Sequence, residues 1–255
     1  MPLKSADFEI RLAASQADLR AAQRLRYQVF IEELGGDGAM VDHEAQLERD
    51  EYDPYYDHLL LIDKAREGQP VVGVYRVLRD DQAKALGRFY CENEYDLTRL
   101  KQSGKRLLEL GRSCIHRDYR GGTGMMRLWN GLADYVAEHG IEILFGVASF
   151  YGTDVAALAH PLSNLHANHL APENLRVRAV SAHFQAMDLL PMAEIDPKAA
   201  KRATPPLIKA YLRLGGFVGE GAFVDHAFNT TDVCLIMDIA SMSQRHKAMY
   251  MRDKN

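Results

Sequence analysis

Residues 8–12 alternate apolar and polar positions, Phe8, Ile10 and Leu12 against Glu9 and Arg11, which is the period of a strand. Leu19, Ala22, Leu25, Val29 and Phe30 then recur at three- and four-residue intervals. That spacing predicts a helix over 15–33, with Ser15 as N-cap and the glycine cluster of 34–38 as its stop. An acidic, tyrosine-rich segment at 50–57 leads into an apolar run at 58–63. A second run at 71–78 follows the turn Glu67-Gly68-Gln69-Pro70, so the two read as a hairpin. A strand over 106–117, interrupted by Gly111, passes through the loop 118–124 into a helix over 125–139 closed by Gly140. Residues 141–150 form an apolar, β-rich run that suits a buried strand. The stretch 151–205 has no clear period. A helix over 206–214 stops at Gly215-Gly216, and strands at 221–225 and 233–239 flank a turn at 229–232. This order predicts one α/β domain with a mixed sheet over the whole chain, 1–255.

Composition narrows the picture. The chain has 255 residues, 47% of them hydrophobic, with 31 Lys+Arg against 35 Asp+Glu and a net charge of −4. It is therefore neither a disordered chain nor a general nucleic-acid binder. Cys91, Cys114 and Cys234 stand at unrelated spacings, which fits a reducing cytoplasm better than a disulfide framework or a zinc site. No apolar leader follows Met1. The longest stretch without Lys, Arg, Asp or Glu, Val155–Pro172, holds three histidines and two prolines and would not cross a bilayer. A cytoplasmic protein, with peripheral contact at the inner membrane face as an option, is the expectation.

Glu109 and Arg112 would face opposite ways on a regular strand; a bulge at Gly111 would bring them onto one face and free backbone N–H groups for an oxyanion. A surface ion pair beside a harmless glycine accounts for the spacing equally well. The loop Asp118–Gly124 could cradle a phosphate at a helix N-terminus or be a plain tight turn, and it has neither P-loop nor Rossmann spacing. Other matches are weaker. His116-Arg117-Asp118 lacks the rest of a kinase site. His183 and Asp188 lack the flanks of a glycerolipid acyltransferase. His160, His166 and His169 have no carboxylate or cysteine in ligand register, so no metal is expected. Cys114 reads as buried and inert rather than nucleophilic.

Arg26-x3-Phe30, Asp50-x2-Asp53, Gly73-Val74-Tyr75-Arg76 and Glu109-x2-Arg112, in that order, resemble the acyl-homoserine-lactone synthase branch of the GNAT N-acyltransferase superfamily. Segments 109–121, 145–154, 160–172 and 205–232 resemble more closely the ornithine-lipid N-acyltransferases, over about residues 20–240. The resemblance implies a GNAT-like domain whose largely antiparallel central sheet is splayed at a β-bulge and flanked by helices. It implies transfer of a 3-hydroxyacyl group from acyl-carrier protein to the α-amine of ornithine, giving lyso-ornithine lipid that a separate O-acyltransferase completes. Glutamine is the alternative acceptor. Thr123 and Met125 occupy the glycine positions of the usual phosphate loop, which favours the single phosphate of phosphopantetheine over coenzyme A. No tightly bound cofactor is implied.

On that basis Glu109 is the expected general base, with Arg112 beside it in the catalytic group. Gly111, Ser113, Cys114, Arg120, Gly121, Gly122, Thr123 and Gly124 are expected around the oxyanion and the pantetheine arm. Arg26, Arg76 and Arg112 are candidates for the amino-acid carboxylate, and Asp50, Asp53 or Asp232 for the ornithine side-chain ammonium. Asn229 would serve a glutamine amide, and Phe30 and Ser149 complete the substrate side. Arg117, Arg120 and Arg127, then Lys101, Lys105 and Arg106, are expected to dock the acidic carrier protein. The basic tail 241–255 could lie on anionic lipid or simply fray. A lactone synthase and a non-enzymatic acyl or carrier-protein binding module are the competing readings.

Overall fold

The computed structural model describes residues 7–242. All but the first two residues of the basic tail therefore lie outside the described residues. In chain order, β1 (Phe8–Leu12) precedes α1 (Gln16–Arg26), which widens into a π-helical turn at Tyr27–Glu33. Next come β2 (Asp57–Asp63), β3 (Val71–Arg79), α2 (Asp80–Leu86), β4 (Tyr95–Asp96) and α3 (Thr98–Gln102). β5 (Leu107–Ile115) and α4 (Gly124–His139) follow, then β6 (Ile143–Tyr151), α5 (Ala159–His169), β7 (Arg178–Ala179) and β8 (Phe184–Gln185). The chain continues through α6 (Pro197–Ala203), α7 (Pro206–Arg213), β9 (Phe217–Val218), β10 (Ala222–Asp225) and β11 (Thr230–Asp238).

The chain forms two compact units. Among the described residues, the first takes those up to Leu86 together with Leu110–His139, and the second takes Gly87–Glu109 and those from Gly140 onward. β5 supplies residues to both.

In the first unit the sheet runs β1-β2-β3-β5, with β1, β2 and β3 antiparallel and Leu60 opposite Val74. Alternation along β2 assigns its two faces. Leu60 and Ile62 join Val74 and Cys114 under Ala22 and Leu25 of α1 and Val29 of the π-helical turn. Leu59 points the other way, toward α4, where a Cβ on Gly131 would stand 3.4 Å from it and 2.5 Å from Ile10. Ser15 caps α1 by accepting the Asp18 amide, and Asp18 in turn holds Arg11 at 2.7 Å.

In the second unit β5 runs parallel to β6, with pairs from Leu107↔Ile143 to Glu109↔Phe145. β6 then pairs antiparallel with β11 along nine residues, and β10 and β8 extend the sheet. Every residue of β11 is buried, as a strand covered on both faces requires. The sheets are thus mixed and mostly antiparallel, flanked by helices, as expected.

Candidate active site

Three arginines from different elements of the first unit meet the acidic segment ahead of β2. Arg26 of α1 is fully buried, with Nε 2.5 Å from Glu48 and Nη1 2.7 Å from Asp53. Arg76 of β3 is 1% exposed and donates to Asp50 at 2.6 Å and Asp53 at 2.9 Å, with its guanidinium 4.4 Å from the Tyr56 ring centre. Arg112 of β5 reaches Glu48 at 3.1 Å and Asp50 at 3.6 Å. Three cations thus meet three carboxylates, and only Asp50 and Arg112 keep an appreciable side-chain exposure, 17% and 19%. Burial alone would raise the Asp53 carboxyl. Its bond to Arg26 and the charges of Arg26 and Arg76 outweigh that and hold it well below the usual carboxylate range. Glu48 is likewise lowered against its burial, by Arg112, Arg26 and Arg76.

Arg26 and Arg76 were expected to bind the substrate carboxylate. Both are shut inside the protein with their charges met by Glu48, Asp50 and Asp53. Asp53 is equally committed, since Gln23 also donates to it at 2.9 Å. The acid that sequence reasoning missed is Glu48, two residues before Asp50; three motif arginines against two motif aspartates already left one cation without a partner. His58, opposite Arg76 in the β2–β3 register, sits 3.2 Å from the Asp53 carbonyl. Its Nδ1 is buried with no hydrogen-bond partner. Burial, then the charge of Arg26, pushes its pKa down, so the imidazole is neutral.

Within β5, where a bulge was expected at Gly111, the residue with a left-handed φ is Arg112, at +48°. Gly111 itself faces open space. Ser113 carries a hydroxyl that is buried without a hydrogen-bond partner. Cys114 is a core residue beneath α1, its thiol pushed up to about 12 by burial. Phe30 also packs against that core.

The loop after β5 makes a short 3-10 turn at Arg117–Tyr119 and a left-handed Gly121, with Gly122 and Thr123 exposed. Gly124 begins α4 and is glycine for packing: a Cβ there would lie 3.3 Å from Leu61. Glu33, at the end of the π-helical turn, takes Arg120 at 2.8 Å and Arg117 at 3.7 Å. In the second unit Lys101 pairs with Glu92 at 2.7 Å and Lys105 with Asp238 at 2.5 Å. Much of the expected carrier-protein patch is therefore locally neutralised; Arg106 and Arg127 remain exposed. A further arrangement escaped the sequence. Tyr27 Oη lies 3.1 Å from His43 Nδ1, and His43 Nε2 lies 3.4 Å from Asp37.

Glu109, in the second unit, is 1% exposed. One oxygen accepts the Tyr90 amide at 2.9 Å and the other the Cys91 amide at 2.6 Å. These amides open the 3-10 turn Tyr90–Asn93, itself closed by Glu92 accepting from the Phe89 amide at 2.8 Å. Ser149 and Asp232 are opposed across β6 and β11, the serine exposed and the aspartate buried and accepting from Thr230 at 3.2 Å. Asn229 is exposed in the turn before β11 with φ +52°, a conformation that asparagine tolerates.

An acetyltransferase (GNAT) domain family matches residues 25–130, the range that holds the three arginines and their acids. An L-ornithine N(alpha)-acyltransferase of Rhodobacter capsulatus is 62% identical over 248 residues, 96% of this chain and 95% of that one. The chain belongs to the L-ornithine N(alpha)-acyltransferase family. A Brucella abortus member is 46% identical, covering 97% of this chain and 90% of its own, and a Rhizobium meliloti member 42%, covering 97% and 86%. Membership makes the chain an N-acyltransferase rather than a non-enzymatic binding module. Among solved structures, FeeM, an N-acyl amino acid synthase from uncultured soil microbes, superposes with a TM-score of 0.52 at 13% identity, covering 95% and 98% of the two chains. The acyl-homoserine-lactone synthase LasI does so at 0.51 and 16%, covering 96% and 95%. At such identities these two show the shared fold of this family and no more. No helix of the described residues is long and apolar enough to cross a membrane.

Proposed function

We propose that this chain transfers a 3-hydroxyacyl group from the phosphopantetheine thioester of acyl-carrier protein to the α-amine of ornithine, yielding a lyso-ornithine lipid. The observation that carries the acceptor is the end-to-end 62% identity to a relative named for ornithine acylation. The carrier-protein donor is supported by the segment that leads into α4, where Thr123 and, within the first turn of the helix, Met125 stand at the glycine positions of the usual phosphate loop and Arg120 is held by Glu33. That leaves few groups for a pyrophosphate and enough for one phosphate.

In the reaction the amine nitrogen bonds to the acyl carbon and the carbon–sulfur bond breaks. Of the two protons the ammonium loses, one ends on the thiol and one goes to a base. Glu109, steadied by the Tyr90 and Cys91 amides, takes that second proton. The Ser113 hydroxyl, with no internal partner, donates to the oxyanion alongside strand amides near Gly111. Arg112, partly exposed, takes the ornithine carboxylate bidentately, and Asp50 takes the side-chain ammonium. A panel of free amino acids, incubated with the purified protein and either 3-hydroxyacyl-carrier protein or the matching coenzyme A thioester, tests this by product mass. Acylated ornithine from the carrier protein is expected; acylated glutamine alone, or transfer from coenzyme A alone, would overturn it.

A further inference from the structure

Residues 197–219 contain Lys198, Lys201, Arg202, Lys209 and Arg213 and no aspartate or glutamate, in a chain whose formal charge is −4. The helices sort these cations onto one side. On α6, Lys198, Lys201 and Arg202 stand at i, i+3 and i+4, while Ala200 is turned inward. On α7, Lys209 and Arg213 stand at i and i+4, away from buried Ile208 and Tyr211. The two stripes meet where Lys209 Nζ donates to the Lys201 carbonyl at 3.1 Å. Lys198, Lys201, Arg202 and Arg213 are exposed and Lys209 half-buried.

None of the five forms an ion pair with a carboxylate of the described residues; Arg202 influences Asp196 only at longer range. Asp196 is spent on capping α6, accepting the amides of Lys198 and Ala199. Just ahead of α6, Met192 is 67% exposed. Elsewhere in the second unit, cations such as Lys101, Lys105 and Arg178 each have a carboxylate partner, so an unneutralised basic face is a feature of α6 and α7.

We propose that this face is a docking surface for an anionic phospholipid bilayer. A bilayer asks for cations without intervening acids and a few apolar side chains at the interface, and it imposes no shape. On α6 and α7 themselves no acid separates the five cations, and the exposed Met192 precedes them in the chain, with Glu194 and the capping Asp196 between. The choice of a bilayer over an acidic protein rests in part on the proposed activity, whose product is an amphiphile that must leave for a lipid phase.

Co-sedimentation of the full chain with vesicles tests the surface apart from the chemistry. Binding is expected to vesicles one-third phosphatidylglycerol in phosphatidylcholine at about 0.1 M salt, where charges reach about 10 Å, and not to phosphatidylcholine alone. It should be released by salt. The combined Lys198→Gln, Lys201→Gln, Arg202→Gln, Lys209→Gln and Arg213→Gln variant should bind at least ~100-fold more weakly, given a roughly fivefold contribution per cation. Its turnover with soluble substrates should be unchanged. Met192→Ser should weaken binding without altering its salt dependence. Failure of the native chain to sediment with anionic vesicles would overturn the proposal. So would equal sedimentation of the five-site variant, or loss in that variant only of carrier-protein binding. Vesicle binding without any acylation of ornithine would instead remove the catalytic reading and leave the surface standing.

Discussion

Arg26 has no exposed surface and closes a ring of buried charge, so its value lies in what its absence leaves behind. Replacing it by methionine removes one of the two cations that face each of Glu48 and Asp53 and leaves buried negative charge in excess, so unfolding free energy in urea should fall by about 3–5 kcal/mol. His58 adds a pH dependence. Its folded pKa lies below the ordinary 6.5, so the unfolded chain binds that proton more readily. Its contribution to stability is complete above 6.5 and declines as pH falls from there toward the folded value. Asp53, lowered from 3.8, gives a second loss that begins below about pH 4. A melting-temperature profile should show both declines, and His58→Gln should abolish the upper one. For catalysis, Glu109→Gln should reduce turnover by roughly 10²–10⁴ with the fold retained by circular dichroism; near-normal turnover would remove Glu109 as the base. Arg26, Asp50, Asp53, Arg76, Glu109 and Arg112 were all legible in the sequence, because each belongs to a short motif of fixed spacing. Their division of labour was not: only packing reveals that Arg26 and Arg76 face inward. Glu48 and the Tyr27–His43–Asp37 chain depend on a loop folding back on a helix, which no local period records.

At the scale of elements, the periods that predicted β2, β3, α4, β6, α7 and β11 are those of ordinary strands and helices covered by a core. The helix expected over 15–33 is α-helical only to Arg26 and π-helical from Tyr27 to Glu33. Over seven residues, apolar spacing does not separate the two forms, so the widening was invisible. The short elements between 151 and 205 each bury too few residues to leave a period. β5 was read as kinked at its glycine, yet the left-handed residue is Arg112, whose conformation fits its bonds to Glu48 and Asp50. The contact of α4 with β1 permits a direct test. A Cβ at Gly131 would come within 2.5 Å of Ile10 Cγ2, so Gly131→Ala should cost about 1–3 kcal/mol in urea unfolding. Ile10→Ala in the same chain should recover part of that loss; additivity of the two changes would show that the contact is not what constrains position 131.

For the molecule as a whole, the order of strands and helices was enough to give a mixed α/β architecture, and family membership extends nearly end to end. The most direct measurement is the position of the acyl group on the product. With 3-hydroxyacyl-carrier protein and ornithine, fragmentation by mass spectrometry should place the new amide on the α-nitrogen, leaving the side-chain amine free. An amide on the side-chain nitrogen, or ornithine recovered unchanged, would contradict the account.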